Sequence, residues 1–235
     1  MLQFNGKPLP RGVGLIGYTV SSPQTQQRTI DIPEARGVTR TGSKLGARNV
    51  TIEYTLLGDS VRQNAEIFHE LNKWCYSEGY APLILPGMEN AYLEAECQAY
   101  PSPAFSYGGD GSNQIAFFCY RPEFITVAQY SGDIADRLVI AGNISTPVRF
   151  DLTVAAALTD PEFTIAGKTI GISGTLDAGT LTIDTEFGTV LSNGDSIAAR
   201  LTLESEPYVM APPGELALAF PSGVTGTASW HNRIL

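Results

Sequence analysis

From Val50 to Leu57 apolar and polar side chains alternate for most of the run, the period-two pattern of a strand with one buried face. Gly58-Asp59-Ser60 interrupts it. Ser60 is placed to cap a helix, and Gln63 three residues on completes a capping box. Val61, Ala65, Phe68, Leu71 and Cys75 then recur at helical spacing, Ile67 and Trp74 widen the stripe, and Gly79 stands where such an element ends. The pattern predicts one amphipathic helix near 60–78, lying on a sheet. Strands are expected at Pro82–Pro86, Ala91–Ala99 and Gln114–Tyr120, with a Gly/Ser/Pro-rich loop at 101–113. Residues 21–46 are polar and weakly periodic. So long a structureless loop is uncommon inside a domain, so the segment reads as an extended arm or hairpin serving a contact.

From about residue 126 the texture changes. Val148, Phe150, Leu152, Val154, Ala156 and Leu158 alternate with polar neighbours. Short strands are predicted at Phe163–Ile165, Thr169–Ile172, Thr180–Ile183, Ile197–Leu203 and Leu216–Phe220, separated by turns at Asp177–Gly179, Glu186–Gly188 and Ser192–Asp195. A last strand near 226–235 would put Trp230, Asn232 and Ile234 on one face. Many short strands with regular turns argue for an antiparallel sandwich. The fold class read from the pattern is mainly β: two β-sandwich-like domains, 1–125 and 126–235, the first with the helix embedded in it.

Composition narrows the function. With 43% hydrophobic and 17% charged residues the chain is globular. No apolar run approaches the roughly 20 residues of a membrane helix, and the start lacks the layout of a signal peptide, so neither membrane insertion nor secretion by that route is expected. Cys75, Cys97 and Cys119 are odd in number and lack metal-ligand spacing; they read as buried free thiols, with one disulfide as the alternative. The net charge of −9 is unevenly spread: +3 over residues 1–73, −5 over 74–124 and −7 over 125–235. Arg28, Arg36, Arg40, Lys44 and Arg48 fall in one 21-residue stretch with few aromatics. A nucleic-acid reader interleaves its basic residues with stacking rings or presents a basic helix. This stretch does neither, and it fits better as a ledge that docks on an acidic protein neighbour, or as a solvated loop.

The search for chemistry returns little. Gly12, Gly14 and Gly17 satisfy a dinucleotide-binding spacing, but no helix follows them. The carboxylate pairs Glu94/Glu96, Asp184/Glu186 and Glu204/Glu206 each share a strand face, as glycosidase carboxylates do. They read as solvated faces, because only Trp74 and Trp230 could line a sugar cleft. His69 and His231 have no nucleophile in a local motif. The turns Asp110–Asn113 and Ser192–Asp195 are oxygen-rich, a feature of calcium loops that ordinary turn chemistry also explains. No catalytic residue, cofactor or metal is expected.

The order of elements then becomes informative. A β domain with one helix, a polar arm before the helix and a sandwich ending in an aromatic-basic strand resembles the distal tail protein family of long non-contractile-tailed bacteriophages. The likeness is densest at Thr180–Val190, Pro212–Phe220 and Ala228–Leu235, and extends to Arg36–Arg40, Asn49–Leu57, the helix and Gln114–Glu123. The resemblance implies a structural role: a ring, usually a hexamer, at the distal end of the tail, assembled in the host cytoplasm. It would join the tail tube protein to a tail-tip or tail-associated protein and, in some phages, to receptor-binding proteins. The first domains would build the ring around a channel for DNA and the second, galectin-like domains would project from it. Arg28, Arg36, Arg40, Lys44 and Arg48 then become candidate contacts between subunits or rings. Some members carry a carbohydrate-binding insertion in the second domain. Here residues 126–220 hold no Trp and only Tyr130 and Tyr208 as polar rings, so a galectin-like shape is not read as sugar binding. A lectin-like module using those tyrosines is the alternative, and a glycosidase using Asp184 and Glu186 stands third.

Overall fold

The alternation at Val50–Leu57 becomes a strand in the computed structural model, which describes residues 1–31, 38–101 and 113–235. The chain divides into two units, Met1–Phe124 and Ile125–Leu235.

The first unit contains β1 (Gln3–Phe4), β2 (Lys7–Pro8), β3 (Val13–Val20), β4 (Thr25–Asp31), β5 (Val38–Leu45), β6 (Arg48–Leu56), α1 (Val61–Cys75), β7 (Ala81–Ile84), β8 (Ala91–Ala99) and β9 (Asn113–Cys119). Its main sheet runs β2-β1-β7-β8-β9-β6-β3, antiparallel throughout. One face is buried: Val50, Ile52 and Tyr54 of β6, Leu93, Ala95 and Cys97 of β8, and Ile115, Phe117 and Cys119 of β9. Leu71, Trp74 and Cys75 of α1 belong to the same core. Phe4 sits between two rings there, 4.9 Å from Phe117 and 5.8 Å from Trp74. The Trp74 indole donates to the carbonyl of Lys7 at 2.9 Å, so its one polar atom is satisfied.

Helix α1 starts as its sequence demands. The Ser60 hydroxyl accepts from the Gln63 amide, and the Gln63 side chain reaches back to the amide of Asp59, one residue earlier than the usual box. Its end differs from expectation. The helix stops at Cys75 with Tyr76 already extended, and Gly79 (φ +86°) serves the turn into β7, where the Ser77 hydroxyl donates to the Gly79 carbonyl. Val61, assigned to the apolar stripe, is exposed. The segment 21–46 contains a hairpin: β4 and β5 pair antiparallel as a two-stranded sheet of their own, with a register shift after Arg28.

In the second unit six strands run in the order Tyr130–Asp133, Val224–Trp230, Arg149–Val154, Gly179–Asp184, Thr189–Ser192 and Asp195–Ser196, again antiparallel. Phe150, Leu152 and Val154 point inward with Leu181, Ile183 and Ala228. They share a core with Phe163, Ile165 and Ile170 of a smaller three-stranded sheet. Gly226 lies in the second strand of the large sheet, opposite Leu152 of the third. A Cβ there would stand 2.3 Å from the Asp151 carbonyl oxygen and 2.7 Å from the Leu152 Cα, and its φ is +149°.

Three strand expectations need correction. The Ile197–Leu203 run forms a 3₁₀ turn at Ala198–Arg200 instead. Ile197 is buried, and the turn lets the Arg200 guanidinium bond the carbonyls of Ser173 and Thr175. Leu216–Phe220 pairs only at Leu218–Ala219. The last strand breaks after Trp230 because Asn232 is buried and used: its side-chain oxygen accepts from the Trp230 indole and the Ala141 amide. Ile234 is exposed.

Cys75, Cys97 and Cys119 are free and buried in the first unit, which settles the disulfide alternative. Burial pushes the Cys119 thiol up to about 12, and a hydrogen bond with Cys97 together with burial pushes the Cys75 thiol far up. The Tyr54 hydroxyl, buried without a hydrogen-bond partner among the described residues, is also pushed up to about 12 by desolvation. These groups are raised in the fold, so their contribution is intact below their ordinary values near 9 and 10 and is lost as pH rises toward 12. The first unit is therefore expected to open in alkali, between about pH 9 and 12, with a loss on the order of 3 kcal/mol from Tyr54 alone. The three thiols should react with a disulfide reagent over that range while remaining inert at pH 7. Tyr54→Phe, which removes an unpaired buried hydroxyl at constant shape, should be neutral or stabilising at pH 7 and shift the opening to higher pH.

Candidate assembly surface

The hairpin is where the sequence concentrates positive charge. Cross-strand register places Gln26 opposite Lys44 and Arg28 opposite Gly42, so Arg28 and Lys44 share one face, and both are exposed. Arg40 pairs with Thr29 beyond the register shift. Arg36 lies outside the described residues. Arg48 has a different fate. It opens β6, is buried, and its guanidinium lies 5.1 Å over the ring of Phe124. Burial weighs against its charge while nearby Cys119 and Glu123 favour it, and its Nε has no hydrogen-bond partner among the described residues. Arg48 therefore stands apart from the hairpin cations.

Four of the six paired carboxylates, Asp184, Glu186, Glu94 and Glu206, are engaged in structure. The Asp184 side chain accepts from the amides of Glu186 and Phe187, and Glu186 is paired with the buried Arg233 at 2.8 Å. Glu94 takes a hydrogen bond from the Tyr120 hydroxyl at 2.7 Å and pairs with Arg121 at 3.4 Å. Glu206 pairs with Lys168 at 2.7 Å, and Glu204 is exposed. His69 is exposed beside Phe68, while His231 is half-buried with Nδ1 2.8 Å from the Thr126 carbonyl oxygen. The Asn193 side chain in the oxygen-rich 192–195 turn accepts from the Thr180 amide; most of the 110–113 turn lies outside the described residues. Gly12 to Gly17 lead into strand β3, not a helix. Among the described residues no group of three or more His, Cys, Asp or Glu could hold a metal. A pocket of about 210 Å³ beside Ile134, Phe220 and Val224 is smaller than the roughly 300 Å³ of ordinary ligand sites. No described helix is long and apolar enough to cross a membrane.

One cluster escaped the sequence reading. Tyr80, just before β7, and Tyr120, just after β9, place their rings 4.1 Å apart on the outward face of the main sheet, beside Glu94. The i, i+2 pair Glu94/Glu96 was visible in the sequence; the tyrosines, brought in by two other segments, were not.

Residues 141–233 match the protein family described as "Siphovirus-type tail component, C-terminal domain". No curated protein matches the chain. Among solved structures it is similar to the SPP1 Dit (gp 19.1) protein, described as a paradigm of the hub adsorption apparatus in phages infecting Gram-positive bacteria. The TM-score is 0.77 at 14% identity, covering 100% of this chain and 98% of that one. A chain of the phage P2 baseplate in its activated conformation with calcium aligns with TM-score 0.50 at 9% identity, covering 94% of this chain and 90% of that one. At such identities the likeness is one of fold. The distal tail resemblance is borne out, and the family match spans Thr180–Val190, Pro212–Phe220 and most of Ala228–Leu235.

Proposed function

We propose that this chain is the distal tail protein of a long non-contractile-tailed bacteriophage, a structural component and not an enzyme. The observation that carries the reading is the whole-chain likeness to the SPP1 Dit hub protein, 100% of this chain against 98% of that one, joined to the tail-component family match in the second unit. Six copies form a ring at the distal end of the tail, with first units around a channel and galectin-like second units outside. One side meets the tail tube protein; the other meets the tail-tip protein and, through it, adhesion components. The net charge of −9 suits a conduit for DNA, since like charges keep the phosphate backbone from adhering. The cations Arg28, Arg36, Arg40 and Lys44 serve contacts between copies or rings, whereas Arg48 supports the hairpin's root from inside the unit.

Light scattering over a concentration series, with imaging of any large species, tests the reading. Six chains of 25.2 kDa give about 151 kDa, and closed cyclic symmetry predicts a discrete particle with an open centre. Filaments of indefinite length would overturn the distal ring in favour of a tube subunit. Glycan binding abolished by changing Tyr130 or Tyr208 would overturn it in favour of a lectin-like module.

A further inference from the structure

The outward face of the main sheet in the first unit is acidic and aromatic. Register puts Glu53 of β6 opposite Gln114 of β9, and Glu96 of β8 opposite Phe118 of β9, so Glu53, Glu94, Glu96, Phe118 and Tyr120 share one face. Tyr80 joins them through its ring contact with Tyr120. Each ring has a partner: the Tyr120 hydroxyl bonds Glu94, and Tyr80 packs against Tyr120. Yet Tyr80 is 46% and Tyr120 37% exposed. Glu96 is exposed and has no ion pair among the described residues. Within the chain Arg121 lies 5.2 Å over the Tyr120 ring and pairs with Glu94, so an incoming cation would meet Glu96 and the Tyr80 ring beside them. A guanidinium or ammonium seated on a tyrosine ring beside a carboxylate combines cation–π attraction with an ion pair.

The same chain carries the complementary surface. Arg28, Arg36, Arg40 and Lys44 fall within the β4–β5 segment, against Asp31 and Glu34 alone, while residues 74–124 carry one basic and six acidic side chains. The hairpin adds no strand to its own main sheet, and eight residues of β5 reach about 26 Å. Lys44 is exposed without an ion pair among the described residues. We propose that the Tyr80–Tyr120–Glu94–Glu96 face receives the basic β4–β5 hairpin of a second copy of this chain. The inference rests on the self-assembling reading above and names the surface that the arm meets. Opposite charges would set the register and the encounter rate, and the rings would supply desolvated contact.

Charge exchange tests it. Glu96→Lys and Lys44→Glu, both at exposed positions, should each weaken self-association by about tenfold, and the double variant should recover most of the loss. Trp74 emission checks that the fold is kept. A photocrosslinker at position 80 should capture a peptide from residues 25–45 of another copy. If the wild type assembles while neither single exchange weakens it, or position 80 crosslinks to a different surface, the docking is overturned and the ring reading stands. If the wild type stays at 25.2 kDa at every concentration and position 80 captures no second copy, the docking is overturned, while a ring that closes only on the end of a tail still stands.

Discussion

Replacing Gly226 by valine is expected to unfold the second unit while the first stays folded. The Cβ would meet main chain, not a movable side chain: the Asp151 carbonyl oxygen at 2.3 Å and the Leu152 Cα at 2.7 Å. Relief would require prying the Val224–Trp230 strand from Arg149–Val154, the pairing of the second and third strands of the six-stranded sheet. Backbone strain at φ +149° adds to this, on the order of 1–3 kcal/mol by itself. With the lost pairing the total approaches the 5–15 kcal/mol that holds an ordinary domain. The two tryptophans make the experiment clean, since Trp74 lies in the first unit and Trp230 in the second. In a Trp74→Phe background the emission of Trp230 should already be that of an unfolded chain without denaturant. In a Trp230→Phe background the Trp74 transition in urea should keep its midpoint. Two native-like transitions would show that the sheet can yield at Gly226.

Phe117→Ala should be nearly as costly, in the other unit. Phe117 is fully buried and meets Phe4 at 4.9 Å and Trp74 at 6.0 Å, so it joins the N-terminal strand, the sheet and the helix. Truncating a buried phenylalanine costs about 3–5 kcal/mol through lost transfer energy and the cavity left behind. Because α1 docks through Trp74 and its neighbours, the helix should loosen first. The buried Cys75 thiol on its last turn would then become reactive at pH 7. Thiol titration with time reads this directly: three inert thiols in the variant would mean that the ring cluster is not what holds the helix.

What the sequence made legible follows the range of the forces involved. The cap of α1 was readable because Ser60 and Gln63 act within one turn, and the inward face of Arg149–Val154 because alternation is local. The 3₁₀ turn at Ala198–Arg200 was not, since it is set by carbonyls of Ser173 and Thr175 more than 20 residues earlier. The end of the helix was misread for a related reason. Gly79 is a proper helix stop in isolation, but the chain had to turn extended at Tyr76 to enter β7. In the candidate surface, the basic run of the hairpin was plain from composition. Arg48 looked like one more member of it, and only Cys119, Glu123 and Phe124, some 70 residues on, take it out of solvent. Tyr80 and Tyr120 were invisible as a pair because strand pairing over 40 residues of chain creates their contact.

The separateness of the β4–β5 sheet would bear on when the proposed ring is made. A lone two-stranded hairpin is marginal in water, because its hydrogen bonds barely offset the entropy of ordering the chain. In a solitary subunit the arm contributes little to stability. If the hairpin docks on a neighbour as proposed, the free energy of pairing β4 with β5 would appear as free energy of association. Assembly of the proposed ring would then be steep in concentration and slow to nucleate, keeping a pool of subunits dispersed until a growing tail offers the first surface. Calorimetry would register the event as a fall in heat capacity larger than the rigid interface alone would give.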